Sequence, residues 1–302
     1  MKAVVLHEYG GPDKLKYEDV ADPVAGEGQL LVRLTASSVN PIDYKLRSGN
    51  YRSFMALEFP VILGRDIAGI VREVGSGVEG FAPGDRVMAL GNKAYAELVL
   101  VAAKDAAHVP EGLDLVKSAA LPLVSLTGDQ LISQAIQIES GQTVLVAGAL
   151  GGVGRAAVWT AKKAGASVIA GVRKSQVKEA ASLGADHVMA LDDSSAMEKL
   201  GFIDAVADAV GGETAEMLLG KVKQGGVFGT VLGPPANAKM NPTVRVISFR
   251  VKPDAGMLRA LAEDAVAGKF EIPIDRMVPL AEAAAAQAAA AKGGIGKVLL
   301  LG

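Results

Sequence analysis

The residues best placed to do chemistry are the glycines of Val144-Leu145-Val146-Ala147-Gly148-Ala149-Leu150-Gly151-Gly152-Val153-Gly154, between an apolar run and a helical pattern. Glycine lets the backbone approach a pyrophosphate, and a helix N-terminus offers N–H groups with no intrahelical acceptor. In the G-x-G-x-x-G register the first position is Ala149, so the fingerprint is A-x-G-x-x-G. A close-packed turn with no ligand gives the same glycines. Here the turn joins an apolar strand to a helix and a second strand follows, which favours a dinucleotide held by Leu150, Gly151, Gly152 and Val153. The second strand ends in Arg173-Lys174-Ser175 with no acid for a ribose 2′-hydroxyl. Two cations and a hydroxyl suit a 2′-phosphate, so NADPH is the expected cofactor; a solvated loop is the alternative. Val210-Gly211 and Leu232-Gly233 close later strands, where an open parallel sheet meets its ligand, although glycines there also simply end strands.

Other chemistries are excluded by composition. The 302 residues include no Cys, which removes disulfides, thiolate zinc, Fe–S clusters and a Cys nucleophile together. His7, His108 and His187 lack metal spacing. Lys+Arg of 31 against Asp+Glu of 33 gives no field for nucleic acid. No stretch approaches the roughly 20 apolar residues of a bilayer span. The opening apolar run breaks too early for a signal peptide, so the expectation is a soluble, cytoplasmic protein with no membrane partner.

These residues must be positioned by two kinds of structure. Up to about residue 122, short β-branched runs (30–34, 67–74, 86–90 and 94–101) are punctuated by Gly and Pro, as in an antiparallel, partly closed barrel. Strand and helix then alternate: strands at 143–148, 168–172, 203–209 and 226–232, helices at 152–164 and 176–183. Strands apolar on both faces indicate a parallel sheet covered on both sides. Residues 244–250 alternate instead and suit an edge strand. The tail predicts helices at 257–267 and 281–291 and strands near 270–274, 276–278 and 297–301. The expected domains are 1–122 with 253–302, and 123–252.

Several motifs, in order, resemble the zinc-independent quinone oxidoreductase branch of the medium-chain dehydrogenase/reductase superfamily. They are Val39-Asn40-Pro41-Ile42-Asp43-Tyr44, Gly64-Arg65-Asp66-Ile67-Ala68-Gly69, Gly84-Asp85-Arg86-Val87, Leu126-Thr127-Gly128, the glycine loop and Gly296-Lys297-Val298. The resemblance implies an α/β protein: a GroES-like antiparallel β domain plus a Rossmann-type, doubly wound parallel sheet, with the active site between them. Zinc-dependent relatives bind their metal at positions that here hold Asn40, Arg65 and Leu123, which cannot build a zinc site. Metal is therefore not expected. The resemblance further implies hydride transfer from NADPH to a quinone or an activated enone. Asn40 is the candidate polarising group, or else a cap before Pro41. Tyr44 is the candidate donor, or else packing. Asp43 is expected to brace the loop, with Arg47 doing so through a local ion pair. Thr127 lies near the cofactor in relatives, or is a helix N-cap; Lys297 belongs to the closing motif, or is a solvated lysine. Leu191 stands where many relatives carry a Tyr near the adenosine. The other functional readings are an alkenal or enoyl double-bond reductase and a non-catalytic NADPH-binding sensor or structural protein. The edge strand at 244–250 matches the homodimers of the family.

Overall fold

The computed structural model describes residues 1–294 and 296–302. The chain divides into two compact units: Met1–Leu123 with Pro253–Gly268 and Ile272–Gly302, and Val124–Lys252 with Lys269–Glu271.

The first unit opens with strands β1 (Lys2–Leu6), β2 (Leu15–Asp19) and β3 (Gln29–Ser38), helix α1 (Pro41–Arg47), and strands β4 (Val61–Ile62), β5 (Asp66–Val74), β6 (Arg86–Leu90), β7 (Leu98–Ala102) and β8 (Ala106–His108). The short helix α2 (Leu115–Ser118) and then α3 (Pro122–Gln130) follow. In the second unit come β9 (Thr143–Ala147), α4 (Gly152–Lys163), β10 (Ser167–Val172), α5 (Val177–Ala180), β11 (His187–Ala190), α6 (Ser194–Lys199), β12 (Ile203–Asp208), α7 (Gly212–Leu219), β13 (Val222–Thr230) and β14 (Arg245–Ser248). The tail returns to the first unit with α8 (Ala255–Val266), β15 (Ile274–Pro279), α9 (Ala283–Ala290) and β16 (Lys297–Leu301).

In the first unit, β3 pairs with β5 on one edge and with both β7 and β16 on the other, so the sheet curls around this long strand. Its inward face (Leu30, Val32, Leu34, Ile67, Val71, Val87, Val99 and Val101) is one apolar core. The pairing is antiparallel except for β15 on β16. The second unit is a six-stranded, all-parallel sheet in the order β11-β10-β9-β12-β13-β14. The order reverses between β9 and β12, which makes their carboxyl ends the crevice where such sheets bind ligands. β14 lies at one edge of this sheet, as its alternating sequence predicts. No helix among the described residues is long and apolar enough to cross a membrane.

Three expectations need correction. The strand expected at 94–101 begins only at Leu98, because 94–97 bond elsewhere: Tyr95 N–H donates to Leu63 O, and Glu97 N–H to Lys2 O. The helix expected at 176–183 is broken into a 3-10 turn, the short α5 and a second 3-10 turn, ended by Gly184 at φ +74°. No strand covers 270–273, since Pro273 lacks the N–H a ladder needs; β15 starts after it.

Candidate active site and dinucleotide cradle

In the second unit the glycine loop leaves β9 through Gly148, at φ +79°. The Gly151 N–H closes the turn on Gly148 O at 2.9 Å, and Gly151 is the N-cap of α4. The amides of Gly152, Val153 and Gly154 therefore open the helix, ahead of any intrahelical acceptor. A Cβ on Gly154 would lie 2.2 Å from Gly148 O, and one on Gly128 would lie 2.3 Å from Val153 O. Helix α4 is thus pressed against its own loop on one side and against α3 on the other. These contacts demand glycine at Gly154 and Gly128. They also hold the α3 turn carrying Thr127 against the start of α4. Thr127 is buried inside α3, so it is no N-cap; the helix starts at Pro122, where the missing N–H costs nothing.

Across the crevice, β12 ends in the buried Asp208. Its Oδ1 accepts from Val210 N–H (3.0 Å) and Gly211 N–H (2.9 Å), and its Oδ2 from Thr230 Oγ1 (2.8 Å). Thr230 Oγ1 in turn accepts from Leu232 N–H. One carboxylate therefore shapes both loops, Val210-Gly211 and Leu232-Gly233. Gly211 and Gly233 sit at φ +74° and +106°. A Cβ on Gly148 would touch the Val210 side chain at 3.1 Å, so the loops after β9 and β12 meet at the switch point. Asp208 was not singled out in sequence. The available signal was an acid closing a parallel strand straight after the apolar run Ala205-Val206-Ala207, which must find donors.

Arg173, Lys174 and Ser175 follow β10 as expected, but Lys174 is not a free cation. Its amide donates to Asp192 Oδ1, and its ammonium pairs with Asp193 Oδ2 at 3.1 Å. Arg173 is exposed and has no ion pair among the described residues. Leu191 is buried and packs over Gly171.

The first unit holds a buried polar knot. Asp66, at the start of β5, accepts at Oδ1 from Leu123 N–H (2.6 Å). At Oδ2 it accepts from Ser38 Oγ, from Asn40 Nδ2 (2.8 Å) and from Lys297 Nζ (3.3 Å). Lys297 also donates to Asn40 Oδ1 at 2.6 Å. Ser38, Asn40 and Asp66 are each fully buried, and Lys297 is 8% exposed, which corrects the reading of a solvated lysine. The two charges fix the Asn40 amide, with oxygen toward the ammonium and nitrogen toward the carboxylate. Its other N–H points to Ser38 O at 3.4 Å. Both hydrogens are thus engaged inside the protein, and Asn40 positions the knot rather than presenting an N–H to an oxyanion or ribose. At the positions matched to zinc ligands stand this amide, the Arg65 guanidinium and the Leu123 backbone, beside an acid already holding an ammonium. That donor set does not suit zinc.

A second network braces α1. Asp43 Oδ2 accepts from Asn40 N–H and from Tyr95 Oη, both at 2.8 Å. Arg47 bonds neutral acceptors instead of the expected ion-pair partner: Gln287 Oε1 at 2.7 Å and Gly10 O at 2.6 Å. Burial raises the Asp43 carboxyl to about 6, against the pull of those two donors. Burial, then the Asp43 charge, raises the half-buried Tyr44 phenol, which stays protonated at neutral pH.

Asp43 makes stability pH-dependent. The folded state holds its proton more tightly than the unfolded chain, so its contribution is complete below about pH 3.8 and lost as pH rises through about 6. Relative to Asp43→Asn, the native chain is expected to lose about 2 kcal/mol of unfolding free energy between pH 4 and pH 7 in urea melts. A difference independent of pH would refute this.

A fold of curled β unit plus parallel dinucleotide-type sheet, with a glycine cradle, defines an oxidoreductase architecture. Comparison with known proteins agrees. Residues 26–111 match the alcohol dehydrogenase GroES-like domain, and 183–300 match the zinc-binding dehydrogenase family. The chain is 31% identical to a chloroplast envelope quinone oxidoreductase homolog of Arabidopsis thaliana over 99% of this chain and 98% of that one. It is 32% identical to a 2-haloacrylate reductase of a Burkholderia species over 94% and 93%. Matches to quinone oxidoreductases of Triphysaria versicolor and Rattus norvegicus span 60% and 52% of those proteins. A mycobacterial protein solved with NADPH superposes with a TM-score of 0.87 at 29% identity, over 100% of both chains. The chain belongs to the medium-chain dehydrogenase/reductase superfamily and is an oxidoreductase of that class.

Proposed function

We propose that the chain is an NADPH-dependent reductase that passes hydride, without metal, to a quinone or an activated enone. The buried Asn40–Asp66–Lys297 knot, at the positions where zinc relatives carry ligands, is the observation that carries this reading. Without a Lewis acid, an unactivated alcohol is a hard substrate, whereas an acceptor already electrophilic needs orientation, a dry site and one hydrogen-bond donor. The reduced dinucleotide, when bound, supplies the hydride. The amides of Gly152 and Val153 at the start of α4 bind its pyrophosphate, and the loops set by Asp208 line the crevice. Arg173 takes the 2′-phosphate, with Lys174 shared between it and Asp193. Tyr44 holds its proton and is the candidate donor to the developing oxyanion. Asn40 and Asp43 act as positioning residues beneath it. The relative named 2-haloacrylate reductase supports the second reading, reduction of an activated C=C bond. The free edge of β14 is the candidate homodimer contact, and a monomer mass in light scattering would remove it.

The test follows NADPH consumption by chelator-treated protein against a benzoquinone, a naphthoquinone, an enal and an enone, with NADH in parallel. Turnover is expected to survive the chelator and to favour NADPH. Arg173→Ala is expected to raise KM for NADPH about ten-fold while barely moving that for NADH. Turnover abolished by the chelator sinks the metal-free reaction. Equal effects on both dinucleotides sink the role of Arg173. Tight NADPH binding without turnover on any acceptor supports the sensor instead.

A further inference from the structure

We infer that the acceptor of this reductase bears a carboxylate, held by Arg65 and Lys93 in a cavity of the first unit; the inference rests on the reductase reading above. The cavity has a volume of about 640 Å³, within the usual range for small-molecule sites. Its walls are largely apolar, with Ile62, Leu90, Leu98 and Leu100 among them, and Arg65 and Lys93 are its basic side chains. Neither cation has an ion pair among the described residues. The one acidic side chain on the wall, Asp105, is already paired with Lys104 at 2.8 Å. The N-terminal ammonium, also at the wall, is paired with Asp22 at 2.6 Å. The uncompensated charge of the cavity is therefore positive.

The two cations are also placed together. Arg65 Nε donates to Gly91 O at 2.7 Å, which anchors the guanidinium to the turn that carries Lys93 and leaves its paired Nη donors for a planar carboxylate. Lys93 adopts φ +57°. Only Lys93 and Gln137 among the described non-glycine residues have positive φ, and Gln137 simply ends a helical segment. No helix end accounts for Lys93, and such strain in a solvent-facing turn points to a ligand-binding role. Arg65 immediately precedes Asp66, so the cationic wall and the buried knot are consecutive residues. In the reaction, hydride from the dinucleotide adds to the β-carbon of an enone and a proton from water adds to the α-carbon. The C=C π bond is lost, the dinucleotide is oxidised, and the carboxylate is unchanged.

The probes are trans-4-oxopent-2-enoate and its methyl ester as acceptors, with the saturated 4-oxopentanoate and its ester for calorimetric binding. The acid is expected to exceed its ester by ten-fold or more in kcat/KM, and the saturated acid to bind correspondingly tighter. In Arg65→Gln and, separately, in Lys93→Gln, an exposed site where folding is not at risk, both ratios are expected to fall toward one. Equal kcat/KM and equal binding for acid and ester overturn the inference and leave the reductase reading intact. If neither acceptor nor any neutral quinone is turned over, the reductase reading fails and the titration decides alone: a missing acid preference overturns the inference, and a preference abolished by Lys93→Gln upholds the anion site.

Discussion

Lys297→Met is expected to lower the stability of the first unit by about 3–5 kcal/mol, the scale of removing one partner from a buried ion pair. The loss follows from what stays behind. The fully buried Asp66 is left with only Ser38, Asn40 and the Leu123 amide as partners, and Asn40 Oδ1 loses its donor. Methionine fills most of the lysine stem's volume, so a cavity is not the cause. Urea melts should show a lower midpoint for the first unit with an unchanged slope. An unfolding free energy within about 0.5 kcal/mol of native would mean that the ammonium is dispensable. The same measurement on Lys297→Arg separates charge from geometry, because a fork does not reproduce a point charge shared between Asn40 Oδ1, Val39 O and Asp66.

Gly154→Ala is expected to weaken NADPH binding by ten-fold or more and to destabilise the second unit by about 1–3 kcal/mol, the usual cost of overpacking. The methyl would stand 2.2 Å from Gly148 O and 2.6 Å from Ala149 Cα, both backbone atoms that no rotamer change can move aside. The loop must shift to admit it, and that loop is the cradle. Gly151→Ala is the control: its Cβ would meet Gly148 O at 3.3 Å, a tight contact that small relaxation relieves. Fluorescence titration of NADPH checks the pair. Native affinity in Gly154→Ala would remove the cradle from the binding site.

What was legible in the sequence is what local pattern encodes. Strands such as β6 and β16 are bounded by Gly-Asp and Gly-Lys turns and hold apolar runs, and both lie at the residues expected. The glycine loop could be recognised because strand, turn and helix are contiguous. The knot could not. Asp66 finds its partners 26, 28, 57 and 231 residues away, and no periodicity connects an acid in a glycine-rich motif to a lysine near the other end. Lys174 shows the same limit at shorter range: Asp193, 19 residues on, belongs to a different strand-to-helix connection that parallel pairing brings alongside. The sequence offers Asn40 as a polarising group, but which way its amide faces is decided by two charges supplied from β5 and β16. The breakdown of the helix expected at 176–183 reflects tertiary context overriding a fair helical pattern.

The placement of β16 has a consequence for how the molecule comes into being. The strand lies between β15 and β3, inside the sheet rather than at its rim. Its lysine is the counter-charge of Asp66. On a ribosome, residues 1–123 emerge with Asp66 lacking that counter-charge and with β3 missing its neighbour at Ala36–Ser38. The contiguous segment Val124–Lys252 already contains its whole parallel sheet. The sheet of the second unit thus lies in one contiguous stretch, whereas the sheet of the first unit is complete only with β16. The ion pair between residues 66 and 297 is the chemical tie between the two distant stretches of chain that make up the first unit.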